Sequence, residues 1–315
     1  MGNRLPEVHS AEEFEQLRAD ERAWLPAVEY LARRHGITGR CRLFSTGSAV
    51  VCQAGDRHVI KLHEPWHRDL CDTEAQYLSW MEGRLPVASP AVVAVGDLEG
   101  WGYIVMSRLP GLPLSEARAD MAPADLVQVA IEAGRLAACL QALAEPPPSL
   151  CAPPWRQFIA GQRRACLDRH RAQGLPAHLL DTLEAQLGDD TFDLAEPVFL
   201  HTELTDTNLM VAQTGQESGR AWQLSGVFDF EPSMLGHPLY DLPSLTIFVC
   251  RGQPEPAKAA LLAYGVERCD TSLARKLLAL TLLHRYSHIG FFLRIAGVPS
   301  YPDDWTQVRR ALIGF

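Results

Sequence analysis

Residues 201–208 read HTELTDTN, a polar island between the apolar runs PVFL and LMVA. Glu203 and Asn208 are separated by four residues within it, and Asp229 follows 21 residues after Asn208, at the end of the apolar stretch WQLSGVF. Transfer of a phosphoryl group to a hydroxyl needs such a set. One carboxylate accepts the hydroxyl proton, an amide oxygen holds one Mg²⁺, and a second carboxylate holds Mg²⁺ against the phosphates. Taken singly, an Asp after a strand is a turn residue and a lone H-x-E means little. Their order and spacing together carry the signal.

The elements that must position these residues are legible as patterns. The runs CRLFS, AVVCQA and HVIKLH are short, rich in β-branched or aromatic residues and separated by TGS and GDR, which predicts three antiparallel strands with tight turns. Helical spacing precedes them over 11–35 and follows them from Trp66 to Trp80. AVVAVGDL and WGYIVMSRL, joined by EG, predict two more strands. From Ser115 the pattern is helical over 123–144, 155–172, 176–188, 256–266 and 271–296, interrupted by the β-rich patch that carries the polar island. The boundary falls near SRLPGL, so the reading is 1–108, with a helical extension over 1–38, and 109–315.

Composition narrows the class of function. The chain has 315 residues, 47% of them apolar and 21% charged, values of a globular protein. A net charge of −9 argues against a nucleic-acid surface, which needs clustered Lys and Arg, and suits a cationic small molecule better. The eight cysteines, at 41, 52, 71, 139, 151, 166, 250 and 269, lack the close pairs of a zinc site. No apolar run reaches membrane-spanning length, the first residues are polar and acidic, and Pro6 spoils a myristoylation start. A cytoplasmic protein with reduced thiols is expected.

On the residues of 201–241 the chain resembles the aminoglycoside phosphotransferase and choline-kinase-like family. That family has a catalytic loop of the form H-x-D-x-x-x-x-N and a metal-binding Asp after the next hairpin. GHPLYDL at 236–242 is similar to the family's G-D-P-x-x-D-L, with His237 in place of the acid. The resemblance covers roughly 40–245 and implies an α+β, bilobal protein-kinase-like fold. Its small lobe is an antiparallel sheet plus a helix, and its large lobe is mostly helical. It further implies an ATP- or GTP-dependent kinase, with Mg²⁺, acting on a hydroxyl of a small molecule such as an aminoglycoside, a sugar or an amino alcohol.

Residue by residue, the resemblance makes Glu203 the proton acceptor and Asn208 and Asp229 the metal ligands. Lys61 pairs with the nucleotide's phosphates and is held by Glu74. Ser45, Gly47 and Ser48 form the loop over the phosphates, Met106 lines the adenine pocket, and backbone groups from Ser107 to Leu109 read the adenine edge. His201 is structural, and Asp241 braces the catalytic loop by accepting backbone N–H bonds. Glu231 either reaches the metal through water or stands as an exposed charge, and Asp206 reads as a turn or cap residue. Trp155, Trp222, Tyr286, Phe291, Phe292 and the stripe LLHRYSHIGFFLRIAG read mostly as core, with the lining of a substrate pocket as the other reading.

Two departures mark this chain. One glycine stands where a protein kinase has three, and Glu203 replaces the family's Asp, a stem longer by one methylene. The replacement admits a second reading, a nucleotide-binding pseudokinase. A third, from another class, takes His201, Glu203 and a distal His284 or His288 as the facial triad of an Fe(II)/2-oxoglutarate oxygenase.

Overall fold

The structure, a computed structural model, describes residues 3–44, 47, 49–144, 154–188, 192, 196–215 and 221–315. The chain divides into two compact units. One comprises Met1–Gly83, Ala88–Leu109 and Asp229–Glu231; the other comprises Arg84–Val87, Pro110–Phe228 and Pro232–Phe315.

The first unit is built on an antiparallel sheet of β1 (Cys41–Leu43), β2 (Val50–Ala54), β3 (His58–His63), β4 (Val92–Leu98) and β5 (Trp101–Ser107), in the order β1-β2-β3-β5-β4. Gly55 adopts φ +60° in the β2–β3 turn, where a Cβ would run into the Thr38 carbonyl oxygen, so only glycine fits. The helical spacing over 11–35 resolves into two helices, α1 (Ala11–Leu17) and α2 (Glu21–Arg34). The break has a local cause: the Asp20 carboxylate accepts the Arg22 N–H and caps a new helix. Trp24 of α2 is fully buried, with its ring 6.0 Å from Phe14 and 5.3 Å from Trp101, which fastens both helices to the sheet. Helix α3 (Arg68–Met81) lies close against β5 at Gly102, where a Cβ would clash with Arg68 and Cys71.

In the second unit β6 (Leu112–Pro113) leads into the short α4 (Leu114–Ala117) and the long α5 (Pro123–Gln141) and α6 (Trp155–Ala172). The helical pattern over 176–188 yields only a single turn, α7 (Ala177–Leu180), and a 3₁₀ turn at Glu184–Gln186. Strand β7 (Val198–Leu200) pairs with β10 (Met234–Gly236). Strands β8 (Leu209–Thr214) and β9 (Ala221–Val227) form a hairpin that β6 joins. The island 201–208 is therefore the connection from one small sheet to another. After the three-residue turn α8 (Leu242–Ser244) come α9 (Pro254–Tyr264), α10 (Thr271–Leu283), α11 (Ile289–Ile295) and α12 (Trp305–Ile313).

The periodicity of 271–296 predicts one helix; the chain instead breaks at His284, whose backbone is extended at φ −63°, ψ 142°. His288 then starts α11 by accepting the Phe291 N–H on its ring. Among the described residues no helix is long and apolar enough to cross a membrane.

Helices α5 and α9 meet at Gly134, where an added Cβ would overlap the backbone carbonyl of Ala260. Backbone cannot swing aside as a side-chain tip can. Gly134→Ala is therefore expected to destabilise the chain by about 1–3 kcal/mol, read as a lower urea midpoint at an unchanged slope.

Candidate active site

Strand β3 carries Lys61 opposite Val51 and Ile104. The side chain is buried, and a buried ammonium persists only when it is paired. Its Nζ lies 2.8 Å from Glu74 Oε2 of α3 and 3.0 Å from Asp229 Oδ1, with Glu231 Oε2 at 4.0 Å. Burial works against the charged form, but the carboxylates of Asp229, Glu74 and Glu231 outweigh it and hold Lys61 above the ordinary lysine range. Glu74 is likewise desolvated, yet Lys61 and His63 keep it below the usual carboxylate range. Glu231 is thus drawn toward Lys61 rather than left as a free surface charge.

His63 escapes a reading of the sequence. It stands two residues after Lys61, on the same side of the strand, and its Nε2 is 3.3 Å from Glu74 Oε2. The period-2 placement was the only available signal. Asp229 sits two residues past β9 in the left-handed region, φ +68°, a backbone state that costs a non-glycine residue roughly 1–2 kcal/mol.

The remaining nucleotide-site candidates are placed unevenly. Gly47 has φ +103° and open space where a Cβ would stand; Ser45 and Ser48 lie outside the described residues. Met106 is buried on β5, opposite Val59 and Val92. Two of the backbone N–H groups assigned to the adenine edge are already engaged, Ser107 with the Ala91 carbonyl and Arg108 with that of Arg57. That leaves the Leu109 N–H as the one of the three with no partner among the described residues.

In the second unit the island is held by buried polar contacts. The fully buried Asp241 carboxylate accepts the backbone N–H of His201 at 3.1 Å and of Thr202 at 2.7 Å. Thr202 has φ +69°, a state that a β-branched residue adopts only under constraint. The constraint is visible on both sides of it. The Thr202 hydroxyl donates to the Pro232 carbonyl at 3.2 Å, and the Thr202 carbonyl accepts from His284 Nε2 at 2.9 Å and Ser244 Oγ at 3.4 Å. Thr202 and His284 thus serve the loop in a way that no local pattern announces.

Glu203 follows directly, half-buried, with its N–H on His201 Nδ1 at 3.3 Å. Asn208 Nδ2 donates to the Glu203 carbonyl at 3.1 Å, which turns its Oδ1 away from that contact, and its own carbonyl accepts the N–H of Phe228, the residue before Asp229. Asp206 is more than a turn residue. It is buried, with Oδ2 3.4 Å from Arg251 and 3.9 Å from Arg118.

These contacts exclude the facial-triad reading. His201 Nε2 faces the Phe228 carbonyl at 3.0 Å while its Nδ1 accepts the Glu203 N–H, so neither nitrogen is left for a metal. His284 is committed to the Thr202 carbonyl and the Tyr286 N–H, and His288 Nδ1 caps α11. Among the described residues no three His, Cys, Asp or Glu side chains converge as a metal site. A carboxylate such as that of Asp229 and an amide oxygen such as that of Asn208 are each hard oxygen donors of the kind Mg²⁺ takes.

A phosphoryl-transfer inventory on an α+β fold with an antiparallel sheet defines a phosphotransferase of the kinase-like class. The sequence profile of the phosphotransferase enzyme family (APH) matches residues 41–277, and the chain belongs to that family. By class it is a small-molecule kinase.

Similar solved structures include the GDP complex of wild-type aminoglycoside 2'-phosphotransferase-IIIa, at TM-score 0.68 and 16% identity, covering 87% of this chain and 97% of the other. The GDP and kanamycin complex of APH(2")-IIIa has TM-score 0.67 and 16% identity, with 87% and 95% covered. The apoenzyme of macrolide 2'-phosphotransferase MphH from Brachybacterium faecium has TM-score 0.59 and 21% identity, with 91% and 97% covered. A search of curated proteins returns no match.

Two expectations follow. Lys61→Met strands the Glu74 carboxylate without its main partner, so it should cost about 3–5 kcal/mol in urea unfolding, and adding Glu74→Leu should recover part of that loss. A purely additive pair of losses would show that the contact carries no energy.

The second concerns pH. Burial raises the Asp241 carboxyl to about 7, against the pull of the Thr202 and His201 N–H groups. Its folded value lies above its unfolded one, so its contribution to stability is full below the ordinary 3.8 and is lost as pH rises through about 7. The imidazoles of His170, His237 and His284, which burial pulls down to about 4, act in the opposite sense. The difference between the thermal-midpoint curves of the native chain and Asp241→Asn, from pH 4 to 8, isolates the carboxyl and should fall with rising pH.

Proposed function

We propose that the protein transfers the γ-phosphoryl group of ATP or GTP, with Mg²⁺, to a hydroxyl of a small molecule. The observation that carries the reading is the buried Lys61, held by Glu74 and in contact with Asp229. The similar solved proteins, aminoglycoside and macrolide phosphotransferases with GDP in two of the three structures, support both the nucleotide and the small hydroxylated acceptor.

In this reading 1–108 is the nucleotide lobe and 109–315 carries the catalytic loop and the acceptor site. The Lys61 ammonium exchanges its contact with Asp229 for the phosphates, while Glu74 fixes its position. Asp229 and Asn208 would hold the metal, and Gly47, with its left-handed backbone, would allow a close approach of backbone to the phosphates. Mg²⁺, when bound, neutralises charge on the phosphate oxygens. The Leu109 N–H serves the adenine edge beside Met106.

Glu203 accepts the acceptor's hydroxyl proton as that oxygen bonds to the γ-phosphorus and the bond to the bridging oxygen breaks, releasing the nucleoside diphosphate. His201 and Asp241 support the loop. Among the described residues seven cysteines are free, which suits a reducing, cytoplasmic setting.

Glu203→Gln keeps size and hydrogen bonding but removes the base, so kcat should fall by about 10²–10⁴-fold with nucleotide affinity nearly unchanged. Glu203→Asp should also lose activity, because its shorter stem withdraws the acceptor from the hydroxyl. A strong gain of activity in Glu203→Asp would instead mark the native Glu as a defect and the chain as a pseudokinase.

A further inference from the structure

Beside Glu203 the second unit opens a cleft whose walls include Ile247, Phe248, His284, Tyr286 and Phe292. One lining ring, Tyr286, and the neighbouring Phe291 outside the lining are exposed. Tyr286 is 53% and Phe291 41% accessible, where their sequence pattern suggests core. Phe248 packs edge-on to Phe292 at 5.5 Å and lies 6.3 Å from Phe291, so three rings form one surface.

The polar side chains around the cleft are largely spent on the protein. Thr281 Oγ1 donates to the Leu277 carbonyl, Ser244 Oγ to that of Thr202, and Thr205 and Thr207 share a hydroxyl contact. His284 uses both ring nitrogens and is kept neutral by burial. Among the described lining residues Glu203 is the one acidic side chain.

We propose that this cleft receives the acceptor, and that the acceptor is an alcohol carried on an uncharged apolar or aromatic skeleton rather than a polyamine. The proposal rests on the kinase reading above, since it is Glu203 that gives the cleft its chemistry. A molecule with several ammonium groups would lose water around each and find one carboxylate in return, the one required to take the hydroxyl proton. An apolar ring gains instead from every face of the rim and leaves Glu203 to its hydroxyl. The net charge of −9 favours cations only at long range; inside the cleft the local inventory decides.

The test is equilibrium binding of 2-(2-naphthyl)ethanol to the full chain, followed by naphthyl fluorescence, with kanamycin and choline as competitors. Saturable binding is expected, weakened about tenfold in Phe248→Ala and displaced by neither competitor. Tyr286→Ala removes a half-exposed ring of the rim, and it should weaken binding as well.

Absence of saturable binding, unchanged affinity in both variants, or displacement by kanamycin or choline would overturn the proposal. ATP and GTP binding, titrated calorimetrically on the same protein with Mg²⁺, separates the two levels. Its absence beside intact naphthylethanol binding would sink the kinase reading and leave the chemistry of the cleft standing; the converse would sink the cleft proposal alone.

Discussion

The second unit turns on a single buried carboxylate. Asp241 is fully buried and spends its oxygens on two successive backbone N–H groups, those of His201 and Thr202. Without them the chain would have no reason to enter the left-handed region at a β-branched residue, a state that costs on the order of 1–3 kcal/mol. The turn so enforced sets the direction in which Glu203 leaves the backbone. His284 and Ser244 hold the carbonyl side of the same peptide, and helix 271–296 gives up its continuity at His284 to make that contact.

The first unit solves a similar problem with opposite sign. Lys61 is a buried cation whose partners, Glu74 and Asp229, come from a helix and from a segment far along the chain. A structural ion pair would be complete with Glu74. The additional carboxylate of Asp229, its side chain 31% exposed, leaves the cluster with more negative charge than the ammonium balances. Such an excess is poor for stability.

What the sequence discloses follows from the range of the forces involved. Strands β1 to β5 and helix α3 are legible because alternation and 3.6-residue spacing are local, and Lys61 is conspicuous as a charge in an apolar strand. The island 201–208 is conspicuous for the same reason. Thr202 is invisible, since its role is a backbone angle imposed by Asp241 and by a His 82 residues away. His284 and the aromatic stripe around it read as one amphipathic helix, and periodicity alone gives no hint that a hydrogen bond to a loop carbonyl ends α10 there. The amides of Ser107 to Leu109 illustrate the same limit, because pairing of Ser107 with Ala91 takes a donor that the residue types left open.

Asp206 and Arg118 join the loop to the cleft. Arg118 places Nε 3.9 Å from the buried Asp206 carboxylate and donates from its other end to the carbonyls of Phe248, at 3.1 Å, and Val249, at 2.8 Å. Those carbonyls belong to the π-helical turn Leu245–Val249, a wide turn whose backbone leaves acceptors unsatisfied by its own helix. One guanidinium thus ties the segment carrying Glu203 and Asn208 to the segment carrying Phe248. Glu203 and Phe248 thus lie on segments fixed by the same ion cluster, so a displacement of either segment strains a contact of the other. The loop of Glu203 and the turn of Phe248 are, in this chain, held by a single polar network rather than by two independent sets of contacts.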